Sequence, residues 1–182
     1  MEEYNIDDFK YNYVSGNPAV YVGTYGKFNN GSVDGEWLDL TKFIDYEEFV
    51  NVCKYLHRDE EDPEFMLQDF EGFPFKLYSE SMMSEDTFDT IQEMFNELDN
   101  EERDAFGTFI DIFGDTNINN FKESYQGQWN SEVEFAENYI DGTGMLDNHE
   151  FLAQYFDYKK FADDIFSCDY TYDNGFVFLN NY

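Results

Sequence analysis

Ser131-Glu-Val-Glu-Phe-Ala-Glu-Asn-Tyr-Ile-Asp-Gly-Thr-Gly144 reads both as a short helix and as a strip of carboxylates. Ser131 is placed to cap the first turn, and Glu134, three residues on, supplies the other half of a capping box. Gly142 is the expected left-handed stop. At about 100° per residue, Val133, Phe135, Ala136, Tyr139 and Ile140 fall on one face, and Glu134, Glu137 and Asp141 fall on the opposite one. A row of acids on a helix face ordinarily serves only to solvate it. The surrounding chain shifts that reading.

The same pattern recurs upstream. Ser84 reads as a cap, after which Phe88, Ile91, Met94, Phe95 and Leu98 form an apolar stripe while Asp86, Asp89, Glu93 and Glu97 cluster opposite. A further helix is expected from Glu101 to Phe113, with Phe106, Phe109, Ile110 and Phe113 inward, Asp104 and Asp111 outward, and Gly114 closing it. A short segment around Ile118, Phe121 and Tyr125 is expected to pack against this pair.

Strands flank these helices. Pro18 to Tyr25 is rich in β-branched and aromatic residues and is followed by the turn signal Asn29-Asn30-Gly31; Glu36 to Leu40 reads as a second strand. Asp45 with Glu48 resembles a capping pair, and Phe49, Val50, Cys53 and Leu56 recur at helical spacing up to His57. This first unit is expected to close near Asp69 to Phe75. At the other end, Phe151 to Phe156 and Tyr158 to Phe166 suggest short helices, and Asp169 to Leu179 reads as a hairpin turning at Asp173-Asn174-Gly175. Strands and helices mix, so the fold class is α+β. The expected division is an N-terminal extension 1–17 without a firm period, a small α+β domain 18–76, a helical acidic domain 77–121 and an α+β C-terminal domain 122–182.

The chain has 182 residues, 41 Asp and Glu against 10 Lys and Arg, and a formal net charge of −31. Acidic chains of that kind are disordered when aromatics are few, but here aromatics make up 21% of the residues, enough to build real cores. So negative a surface repels phosphate backbones and anionic lipid, which argues against nucleic-acid or membrane binding and for proteins with basic grooves. The opening Met1-Glu2-Glu3-Tyr4 lacks a basic and apolar leader, and no run approaches the ~18 apolar residues of a membrane span. A soluble cytoplasmic protein is expected. Cys53 and Cys168 lie far apart without metal-ligand spacing and read as reduced, mostly buried thiols.

Catalytic signatures are absent. His57 and His149 stand outside any paired metal spacing, and no nucleophile elbow appears. Asp115-Thr-Asn117-Ile-Asn119 opens like a calcium loop but places Asn120 where Gly is needed and Gln126 where the bidentate Glu is needed. The segment from Asp169 fails likewise. No enzyme, metal or cofactor is expected.

Three stretches, Pro18-Ala-Val-Tyr-Val-Gly-Thr-Tyr-Gly-Lys-Phe-Asn-Asn-Gly31, Gly35-Glu-Trp-Leu-Asp-Leu40 and Asp59-Glu-Glu-Asp-Pro-Glu-Phe-Met-Leu-Gln-Asp69, resemble the first domain of the ArdA antirestriction proteins. Ser131 to Gly144 resembles that family's antirestriction motif, and Tyr158 to Tyr182 its closing segment. The resemblance spans residues 18 to 182. It implies an elongated, three-domain homodimer, dimerised through its C-terminal domain, that mimics bent B-form DNA and occupies the DNA-binding groove of type I restriction–modification enzymes. It also implies a mobile genetic element as carrier. Phe113 and Phe156 are apolar residues to be divided between core and dimer contact.

The charge supports that mechanism on its own. Duplex DNA carries one charge per about 1.7 Å of axis, so 31 net charges match roughly 53 Å, or about 15 base pairs. A compact chain of this length has a radius of gyration near ~16 Å, so such a density favours an extended shape. Asp86, Asp89, Glu93, Glu97, Asp104, Asp111, Glu134, Glu137 and Asp141 are the expected phosphate stand-ins, acting as a distributed set. The alternative reading is an acidic DNA-mimic module for another basic DNA-binding protein, which a pull-down against both targets separates.

Overall fold

The computed structural model describes residues 3–13, 16–147 and 149–182. The chain is mixed α+β and divides into two compact units, Met1–Gly107 and Thr108–Tyr182. Among the described residues there are eight α-helices and two three-stranded antiparallel sheets.

The first unit is built on strand β1 (Ala19–Thr24), paired antiparallel with β2 (Glu36–Asp39) and β3 (Phe65–Glu71) in the order β2-β1-β3. The sequence reading missed β3 as a strand because Met66-Leu67 and Asp69-Phe70 break strict alternation. The physical reason is a register shift between Tyr21 and Val22, where Gln68 is left over against β1. The connection from β1 to β2 is also not a bare turn: it carries the short helix α1 (Tyr25–Asn29), capped by Thr24, before the left-handed Gly31.

Helix α2 (Tyr46–Leu56) starts at Asp45, whose carboxylate accepts the Glu48 N–H at 2.8 Å; Glu48 reaches back to the N–H of Ile44 rather than of Asp45, also at 2.8 Å. Helix α3 (Glu85–Glu97) follows the Ser84 cap, where Ser84 Oγ accepts from Thr87 N–H at 3.2 Å. Val20, Val22, Leu38, Leu40, Phe49, Val52, Phe88 and Ile91 are fully buried between sheet and helices. Phe88 stacks on Phe49 at 5.5 Å, and truncating so buried a ring to Ala costs about 3–5 kcal/mol.

The described residues of the N-terminal extension bond to β2 and pack on the first unit. Phe9 O accepts the Asp39 N–H (2.9 Å), the Tyr11 N–H donates to Trp37 O (3.0 Å), and Phe9 stacks on Phe43 at 4.8 Å. The described part of this segment therefore extends the sheet beyond β2; Met1, Glu2, Val14 and Ser15 of the expected extension lie outside the described residues.

Helix α4 (Asn100–Phe113) contains the boundary between the units and ends at left-handed Gly114. In the second unit, α5 (Ile118–Ser124) leads into β4 (Tyr125–Gln128), which pairs with β6 (Phe176–Leu179); β5 (Tyr170–Asp173) completes the order β4-β6-β5. The hairpin turn is as expected: Asn174 (φ 51°) and Gly175 (φ 87°) both adopt positive φ, which two-residue turns of this twist demand. Tyr125-Gln-Gly-Gln escaped detection as a strand because it has no β-branched residue, only one aromatic, and a Gly in its middle. Helices α6 (Glu132–Thr143), α7 (Glu150–Ala153) and α8 (Tyr158–Phe166) complete the unit. Phe109, Phe121 and Phe178 are buried in its centre, with ring centroids 5.6 Å apart for Phe109 and Phe121. Phe113 is half-buried beside Phe109 and Tyr182, and half-buried Phe156 packs on Phe161.

Candidate acidic recognition surface

Each acidic face rests on a buried aromatic or aliphatic face, which fixes where its carboxylates stand. On α3, Phe88, Ile91 and Met94 are buried, and Gln92 donates to the carbonyls of Leu40 (2.9 Å) and Phe43 (3.0 Å), pinning the helix to the first unit. Asp86, Asp89, Glu93 and Glu97 are consequently all exposed. Their i, i+3 and i, i+4 spacing places successive Cβ atoms about 5–6 Å apart. Asp86 also lies in the first turn, where the helix dipole favours negative charge.

The corner between α3 and α4 is fixed locally. Asp99 and Glu102 form a reciprocal capping box, with both bonds at 2.9 Å. The Arg103 guanidinium lies 4.4 Å over the Phe95 ring and donates to Phe95 O at 2.7 Å. Asp104, in the first unit, and Asp111, in the second, are exposed.

On α6, Phe135, Ala136 and Ile140 are buried, and Val133 and Tyr139 half-buried, as the periodicity requires. Glu137 and Asp141 are exposed, whereas Glu134 is half-buried and engaged. Its N–H donates to Ser131 Oγ (3.1 Å), and its Oε2 accepts from both Asn130 N–H (2.7 Å) and Asn130 Nδ2 (2.8 Å). The capping box is thus displaced by one residue, so Glu134 helps to define the helix start as well as carrying charge. The stop is displaced too: the helix runs through Gly142 and Thr143, and the left-handed residue is Gly144, φ 65°.

Exposed acids that the sequence reading left out include Glu85, beside Asp86, and Asp164 on α8. The i, i+4 pattern of α8 offered a signal, but Lys159 and Lys160 at its start obscured it; Lys159 pairs with Asp163 at 3.1 Å. With 10 cationic side chains for 41 acids, pairing within the chain cannot neutralise this surface.

Asp115 serves as a turn acceptor: its carboxylate takes the Asn117 N–H (2.9 Å) and Asn120 Nδ2 (2.8 Å). His57 is buried, with Nε2 3.1 Å from Val22 O and Nδ1 3.1 Å from Lys27 Nζ. Lys27 in turn reaches Asp59 (3.1 Å) and Asp34 (3.5 Å). Burial of Cys53 pushes its thiol far up, while Cys168, contrary to expectation, is exposed.

The model of the family Antirestriction protein (ArdA) matches residues 20–178, which include all three acidic helical faces. The chain belongs to the ArdA family. Antirestriction is therefore the function its family carries, and α3, α4 and α6 are ArdA elements in this chain. No curated protein matches it. No helix of the described residues is long and apolar enough to cross a membrane.

Proposed function

We propose that the protein mimics B-form DNA and occupies the DNA-binding groove of type I restriction–modification enzymes as an elongated, three-domain homodimer. The observation that carries this reading is the exposed run Asp86, Asp89, Glu93 and Glu97 on a helix whose opposite face is locked into the core. Four carboxylates over about 16 Å of helix amount to roughly one per 5 Å. A single DNA strand carries one per about 3.4 Å and the duplex one per about 1.7 Å. One helix falls short of duplex density, so the target must engage several acidic faces together, with Asp104, Asp111, Glu134, Glu137 and Asp141 adding to the α3 run. The phosphate-binding Lys and Arg of the target pair with these carboxylates, and the whole field of the molecule speeds encounter.

The inhibitor works in the cytoplasm of the restricting cell, where a mobile element needs it on entry. A homodimer is consistent with the apolar side chains left exposed near α7, Phe151 at 70% and Tyr155 at 74%. The test is a binding assay with a purified type I enzyme and its DNA. Stoichiometric inhibition that competes with DNA and weakens with salt is expected; inhibition without competition would sink the mimicry reading.

A further inference from the structure

The first unit carries an aromatic panel on the sheet face turned away from its core. Tyr21 stands opposite Trp37 across β1 and β2, and opposite Asp69 across β1 and β3, while Ala19 stands opposite Glu71. Side chains alternate along a strand, so these residues face away from Val20, Val22 and Leu38, which are fully buried. The N-terminal segment widens the panel: Tyr11 and Tyr13 lie with ring centroids 5.9 and 6.0 Å from Trp37 and 5.1 Å from each other, and Tyr21 lies 5.8 Å from Trp37. Tyr11, Tyr21 and Trp37 are half-buried and Tyr13 is 64% exposed.

The hydroxyls of Tyr21 and Tyr11 are engaged within the chain. Tyr21 donates to Val33 O at 2.8 Å. Burial, with a hydrogen bond to Glu71, pushes the Tyr11 hydroxyl up to about 12. What remains for a partner is ring surface bordered by the exposed carboxylate of Asp69; Asp34 lies 3.5 Å from Lys27 Nζ, Glu71 is bonded to Tyr11, and Glu36 is tied to Lys10 at 2.8 Å.

Ring faces beside carboxylates suit one chemistry well. A guanidinium stacks on an aromatic face and donates in its own plane to a carboxylate. A nucleobase would bring phosphates into a field of −31 net charge, and an apolar peptide would strip water from carboxylates without repairing the loss. We infer that the Tyr11–Tyr13–Tyr21–Trp37 panel docks an arginine-bearing segment of a protein partner. This face selects arginine over lysine, which a row of exposed carboxylates alone does not do. Tyr11 and Tyr13 precede the family match at residues 20–178, so half of the panel is built from outside it.

Peptides test this independently of which restriction enzyme is the target. Fluorescence anisotropy of labelled octa-arginine and octa-lysine with the full chain, at about 0.15 M salt, should show octa-arginine bound about two- to fivefold tighter, the worth of an exposed cation–π contact. Tyr13→Ala should abolish that preference without changing octa-lysine affinity, and Tyr13→Phe should keep it. Phe75→Ala, at another exposed ring (72%), should also keep it. The Trp37 indole N–H resonance should shift on adding octa-arginine. Equal affinities in the unaltered protein, a preference that survives Tyr13→Ala, equal loss in Phe75→Ala, or an unmoved indole resonance would each overturn the proposal.

Discussion

His57 lies at the last position before a loop and faces inward between two groups that fix its state. Val22 O can only accept, so Nε2 carries the hydrogen and Nδ1 accepts from the Lys27 ammonium. Burial, opposed by the Val22 bond and reinforced by Lys27, holds the imidazole below its ordinary value of 6.5. The unfolded chain therefore binds a proton below about pH 6.5 that the folded chain resists, and stability is full above that value and falls as pH drops through it. Urea unfolding at about pH 7.5 and 5.5 should show a lower midpoint at the acid value, and His57→Gln should flatten the difference. Asp59 is held below the usual carboxylate value by its bond to Lys27, so it titrates beneath this window and does not mimic the effect. A midpoint unchanged between the two pH values would contradict this account. A lone histidine in the sequence offered no hint of this role, because Lys27, 30 residues away, defines it.

At the scale of the element, α6 shows how close two glycines can be in sequence and how different in consequence. Gly142 is helical with nothing within 4 Å of an added Cβ, so Gly142→Ala should stabilise by up to about 1 kcal/mol. Gly144 has φ 65°, and an added Cβ would meet Asp147 Oδ2 at 2.7 Å, so Gly144→Ala should destabilise by about 1 kcal/mol or more. Thermal melts of the two variants should move in opposite directions. The sequence held both glycines two residues apart, and helical periodicity alone does not choose between them. Helix α3 carries the functional counterpart. Asp86→Asn, Asp89→Asn, Glu93→Gln and Glu97→Gln together should weaken inhibition of a type I enzyme about tenfold or more, while each single change does little. Abolition by any one of the four would replace the distributed surface with a hot spot.

For the whole molecule, charge acts with opposite sign on folding and on binding. A net −31 repels itself in the folded state, and added salt screens that repulsion as it screens the attraction to a basic groove. Raising salt from about 0.05 to 0.5 M should lift the melting temperature of the free protein, by about 2–4 °C for each 1 kcal/mol gained, while the complex weakens. A lower melting temperature at high salt would remove self-repulsion as a term in its stability. The expected dimer has its own check: Phe151→Glu with Tyr155→Glu should shift sedimentation from dimer to monomer, without loss of the cores around Phe49 and Phe109.

Much of this was legible in the residues. Ser84, Asp45 and Ser131 announce their helices because a cap is a local hydrogen bond, and the stripes of α3 and α6 sort apolar from acidic side chains because helical period depends on nothing distant. Asn174-Gly175 fixed its hairpin for the same reason. The net charge is simple arithmetic on composition. Tertiary structure decided what depends on meeting. It added β3 through a register shift and made Phe9 to Tyr11 part of a sheet. It also brought Tyr11 and Tyr13 to Trp37 and Tyr21. These arise from contacts between separated segments, whose pairing follows from burial of the assembled core and from backbone groups finding partners, which no local pattern encodes.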